Sequence, residues 1–129
     1  MWSAVRFAVL AASLIAYAVV SATPRTMNDG VYSKAQAKNG EQLYQEHCLL
    51  CHDKKYHRPV LKNWEGRSLK SFFVMMRSSM PQNNAGVLRD REYVDILAYI
   101  LSLSRYPSGD VELDYSNGAM DEIVISNRK

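Results

Sequence analysis

The run Cys48-Leu49-Leu50-Cys51-His52 constrains this chain more than any other feature, and its two cysteines are the only ones present. Two thiols three residues apart lie on one turn of backbone, where each can add to a vinyl group of a haem. The adjacent imidazole then serves as an axial ligand of the iron. Three other uses of the same residues are weaker. A Cys48–Cys51 disulfide suits an exported protein, but so short a loop cannot staple a fold. A thioredoxin-like redox pair wants a βαβ context, which the chain lacks. A zinc site needs two further ligands, for which His52, His47 and His57 offer nitrogen. The remaining sequence supplies what a haem needs, so Cys48 and Cys51 are expected to hold it covalently and His52 to bind its iron.

With 129 residues there is room for one small domain. Residues 1–22 are laid out as a secretory signal peptide: Arg6, then the apolar run Phe7–Ala22 with no charge, ending in small residues before Thr23-Pro24. The rival is an uncleaved membrane anchor facing the periplasm. The run of 16 residues is shorter than the roughly 20 needed to span a bilayer. Removing it takes Arg6 and no acid, leaving a formal charge of +2 from the original +3. Two haem propionates would bring that near neutrality, so the basic balance is no argument for nucleic acid or an acidic membrane. Export also fits the cysteines, because c-type haem attachment takes place outside the cytoplasm.

Residues 23–32 read as linker, with Pro24, Asn28-Asp29-Gly30 and no apolar period. Ser33 and Gln36 form a capping-box pattern that opens a first helix reaching about Glu46. Gly40 inside it costs about 1 kcal/mol relative to Ala, a cost justified where another helix crosses at close range; a tolerated surface glycine is the other reading. The stretch 53–59 is polar and predicts an exposed loop, with His57 a surface histidine. The Pro59 carbonyl is a candidate acceptor for the second nitrogen of His52. Trp64 is either core filler or an indole donor to a haem propionate, with Arg67 as a further propionate partner. Ser68 caps a helix to about Arg77 with an apolar face of Leu69, Phe72, Phe73 and Met76. Pro81 then holds Met80 in extended backbone, where its thioether is placed as the second axial ligand. Met75 and Met76 read as core methionines. A last helix, about Asp90 to Arg105, carries a broad apolar stripe and is expected to cross the first near Gly40, with Tyr44 and Tyr99 in contact. Residues 107–129 read as an extended tail packed on the domain of 33–106.

Together these pieces resemble a single-haem class I cytochrome c: Gly40-x-x-x-Tyr44, Cys48-x-x-Cys51-His52, Pro59-x-Leu61, Met80-Pro81 and Tyr93-x-Asp95-Ile96-Leu97-Ala98-Tyr99-Ile100-Leu101. They cover about Ser33 to Arg105. Trp64-Glu65-Gly66-Arg67-Ser68-Leu69, the Met80-Pro81 loop and Tyr106-Pro107-Ser108-Gly109 are more narrowly similar to small periplasmic cytochromes, and cytochrome domains, that serve bacterial quinoprotein and related dehydrogenases. The resemblance implies an all-α fold of a few helices around one covalent haem c. Two departures stand out. The loop from His52 to Pro59 is short and lacks the family's glycine-rich portion, which opens one haem edge. Ala85-Gly86 replaces the usual Pro-Gly after the Met-Pro loop, which loosens the ligand loop slightly.

The expected function is a periplasmic carrier with His52 and Met80 on the iron, shuttling single electrons between a dehydrogenase and a terminal acceptor. No nucleophile or acid–base pair stands out, so an electron carrier rather than an enzyme is expected. A fixed subunit of a dehydrogenase or oxidase complex is the second reading, with the tail after Tyr106 as its docking element. A ligand-binding or peroxidatic haem is the third, should Met80 leave the iron open. Redox proteins are the expected partners in the first two.

Overall fold

The computed structural model describes residues 25–129; the signal-peptide reading of 1–22 lies outside them. In chain order the elements are β1 (Arg25–Thr26), a 3-10 turn (Met27–Asp29), α1 (Lys34–His47), α2 (His57–Asn63), α3 (Leu69–Ser79), α4 (Asp90–Leu103), α5 (Ala119–Glu122) and β2 (Ile123–Val124). The fold is all-α, as the sequence predicts, with one two-residue parallel pairing of β1 on β2. No helix among the described residues is long and apolar enough to cross a membrane.

The core is α1 crossing α4. Ser33 caps α1, its Oγ accepting from the Gln36 N–H at 3.1 Å. The helix then buries Gln36, Ala37, Gly40 and Tyr44 on one face. α4 starts at Arg89, whose N–H donates to the Glu92 carboxylate at 2.8 Å, and acids in its first turn suit the positive end of the helix dipole. Nine consecutive residues, Tyr93 to Leu101, are buried, as befits a helix enclosed on all sides. At the crossing the backbones touch. A Cβ built on Gly40 would lie 1.8 Å from the Asp95 carbonyl oxygen, and Tyr44 meets Tyr99 edge-on at 5.4 Å. α3, capped by Ser68, buries Leu69, Phe72, Phe73 and Met76.

Four expectations are corrected. The supposed linker is packed from Met27 onward, with Met27, Val31 and Tyr32 buried. The Tyr32 hydroxyl donates to the Tyr106 carbonyl at 2.7 Å, and the Gly109 N–H returns to the Tyr32 carbonyl at 2.8 Å. The capping box at Ser33 is only half formed. The Gln36 side chain does not reach back to Ser33 but brackets Leu113, donating to its carbonyl at 2.8 Å and accepting from its N–H at 2.9 Å. The tail is not wholly extended, since it makes α5 and β2 and buries Leu113, Met120, Ile123 and Ile125. Its backbone ladder to Gly66 and Arg67, each at 2.8 Å from Ile125, fixes it beside α3. Finally, the polar loop after His52 ends early, because α2 begins at His57 and His57 is buried.

Candidate haem site

The cysteine–histidine motif leaves the end of α1 as a tight turn. Cys48 caps the helix through its N–H to the Tyr44 carbonyl at 2.9 Å, and the Cys51 and His52 N–H groups fold back onto the Cys48 carbonyl at 3.1 and 2.9 Å. Both thiols are free. Cys48 is half-buried and burial pushes its thiol up to about 11, while Cys51 is exposed. Among the described residues, no group of three or more His, Cys, Asp or Glu is arranged to hold a metal ion by itself. His47, exposed beside Glu46, and the buried His57 both border the cavity described next.

One cavity of about 310 Å³ brings Cys48, Cys51, His52 and Met80 together. α3 contributes Met76 to its wall and α4 contributes Ile96 and Ile100. Met80 reaches it because α3 stops there: Met80 is the C-cap, in extended backbone, its N–H held by the Met76 carbonyl at 2.9 Å. The following loop is pinned by Tyr93 of α4. Its hydroxyl donates to the Met80 carbonyl at 2.7 Å and accepts from the Gly86 N–H at 3.0 Å. In the sequence Tyr93 is one apolar-stripe residue among several, and nothing local marks its hydroxyl as a clamp.

The residues fit a haem. The wall offers two thiols, an imidazole, a thioether and aliphatic surface, which are the groups a c-type haem uses. His52 also carries a buried ring nitrogen, Nδ1, with no hydrogen-bond partner.

His57 is the main surprise. Its side chain, only 8 % exposed, lines the same cavity, and its ring centroid lies 5.6 Å from that of His52. The Tyr44 hydroxyl holds it at 3.1 Å from Nε2 and also donates to the His52 and Asp53 carbonyls, at 2.9 and 3.3 Å. Burial, with His52 adding to it, pushes His57 down to about 4, so the ring is neutral at pH 7. Burial raises Tyr44 in the other direction and keeps its hydroxyl a donor.

The remaining candidates do not line this cavity. Pro59 is the third residue of α2, where a missing N–H costs nothing, and is exposed. Trp64 is half-buried, edge-on to Phe72 at 5.4 Å. The exposed Arg67 lays its guanidinium over the indole at 4.7 Å.

This helical fold around a cysteine–histidine turn defines a small all-α cytochrome c domain. Residues 35–100, just over half of the chain, match the family model described as cytochrome C oxidase, cbb3-type, subunit III, and the chain belongs to that family. Its cofactor is therefore covalently attached haem c, and its chemistry is haem-based electron transfer with redox partners. No curated protein and no solved structure matches the chain.

Proposed function

We propose that this chain is a monohaem class I cytochrome c, exported to the periplasm, that carries single electrons between a dehydrogenase and a terminal acceptor. One observation carries the reading: Cys48, Cys51, His52 and Met80 meet at a single cavity with aliphatic walls. When bound there, the haem supplies a one-electron couple. Cys48 and Cys51 would hold it through sulfur, and His52 and Met80 would be its axial ligands. Met76, Ile96 and Ile100 keep water from the site, and Tyr93 holds the Met80 loop in place. Leu50, 98 % exposed, and the half-exposed Val87 leave apolar surface in the segments that bear the ligands, suited to brief contact with a redox partner.

The family description favours a second reading, a fixed oxidase subunit. Against the form of it in which the tail docks to a larger complex, the apolar tail side chains Leu113, Met120, Ile123 and Ile125 are used up inside this domain. Exposure of the reduced holoprotein to carbon monoxide tests the carrier. A Met80-ligated site stays spectrally unchanged and Met80→Ala binds the gas. Binding by the unsubstituted protein would instead mark an open iron and a ligand-binding or peroxidatic role.

A further inference from the structure

The net charge of the chain identifies no ligand, but its cations are not spread evenly. A recess of about 420 Å³ lies where α2, the turn after α4 and the C-terminal residues meet. It is lined by Arg58 and Lys62, by Ser104 and Tyr106, and by Asn127 and Arg128. We propose that this recess binds a phosphate group, held by the guanidinium groups of Arg58 and Arg128 and the ammonium group of Lys62.

Three cations share the recess and no carboxylate lines it. None of the three makes an ion pair among the described residues. For the domain alone this arrangement is unfavourable. Arg58 and Lys62 stand four positions apart on one face of α2, where like charges repel. Arg58 is also in the first turn, at the positive end of the helix. Burial holds the Tyr106 hydroxyl above its usual range and Glu65 adds to this, while the charges of Arg128 and Arg58 oppose it. Two cations from distant segments thus act on one hydroxyl, which is itself committed to the Ser126 carbonyl at 2.7 Å. Glu65 accepts from the Asn127 amide at 2.6 Å and is not among the lining residues. One carboxylate against three cations leaves the excess positive.

Ser104 is an independent observation. It lines the same recess and is 2 % exposed, and its Oγ is buried with no hydrogen-bond partner. A buried hydroxyl left unmatched in a native fold calls for an explanation, and an oxyanion in the recess offers the acceptor. The number of cations selects the class of oxyanion. A guanidinium fork matches two oxygens and an ammonium acts as a point charge, so a carboxylate is satisfied by one arginine. Two forks and an ammonium suit a phosphate, with its three terminal oxygens and charge of about −1.5 to −2 at neutral pH. The recess shares no lining residue with the cavity of Cys48, His52 and Met80, so its occupant leaves that cavity free. A soluble phosphate and a lipid headgroup present the same group, and the test separates them.

The test is a titration of the ¹⁵N-labelled ferrous holoprotein with inorganic phosphate at constant ionic strength, followed by backbone amide shifts. Parallel titrations use acetate, vesicles of phosphatidylglycerol and vesicles of phosphatidylcholine. The inference expects saturable shifts confined to residues 58–62, 104–106 and 127–128, with half-saturation at about 1 mM or below. It expects binding to weaken by roughly tenfold or more in Arg58→Gln combined with Arg128→Gln. Both side chains are exposed, and unchanged amide shifts elsewhere show that the variant keeps its fold; Lys62→Gln takes its place should the pair fail to fold. Binding to phosphatidylglycerol but not phosphatidylcholine vesicles, lost in the variant and without saturation by free phosphate, supports the site and assigns the group to a lipid. Absence of binding to both phosphate and vesicles overturns the proposal. Saturation by acetate as strong as by phosphate overturns it too, as does binding undiminished in the variant.

Discussion

One added methyl group at Gly40 would stand 1.8 Å from the Asp95 carbonyl oxygen, so the first and last long helices can keep their distance only if residue 40 has no side chain. Because the obstacle is backbone rather than a movable side chain, Gly40→Ala should destabilise the domain by about 1–3 kcal/mol or more. Chemical denaturation of the holoprotein would show it, and a variant as stable as the original would mean that the helices do not cross here. Tyr93 poses a subtler case. Tyr93→Phe keeps the ring and removes the hydroxyl that joins Met80 to Gly86, costing about 0.5–1.5 kcal/mol per bond. The expected signature is local: a weakened sulfur-to-iron absorption band in the far red with the helix content intact, whereas an undiminished band would deny Tyr93 its clamp role. The cysteine–histidine turn was legible from residues alone because spacing on one segment carries its meaning, whereas Gly40 read on its own segment fitted a surface glycine as well as a helix crossing, and the close approach to Asp95 decides it. The hydroxyl of Tyr93 and the ring of His57 were not legible, because their partners lie 13 positions away in each case.

Helices α3 and α4 announce themselves by apolar residues at helical spacing, and both form where that pattern places them, within two residues at each end. α2 does not, being seven residues long and led by charged and polar side chains; it buries only Leu61 and His57, and the contact of His57 with Tyr44 is one that no periodicity records. The same holds for the tail. Gln36 looks like half of a capping box, yet its amide spends both its hydrogen bonds on Leu113, 77 positions away. Gln36→Ala should therefore leave a buried N–H and carbonyl at Leu113 unpaired, at about 1–3 kcal/mol each. Amide exchange should accelerate in residues 107–118 before it does in α1. Equal protection in the variant would show that the tail is held by its apolar contacts alone.

Among the described residues, the helices and tail enclose one apolar core, and a bound haem would add a further large apolar component at the cavity of Met76, Ile96 and Ile100. A domain of this size is marginal by surface-to-volume scaling, so loss of the cofactor should be felt everywhere. The pair Cys48→Ala and Cys51→Ala is expected to abolish stable structure in the cell, while native helix content and a cooperative melt in that double variant would show that the polypeptide folds without it. All of this depends on the thiols of Cys48 and Cys51 being bonded to haem. The most direct measurement is the intact mass of the denatured protein, followed by the mass of the peptide that spans the motif. The expected result is one haem retained after denaturation and located on the peptide containing Cys48 and Cys51. Free thiols, or a Cys48–Cys51 disulfide with no haem, would contradict the account at its foundation.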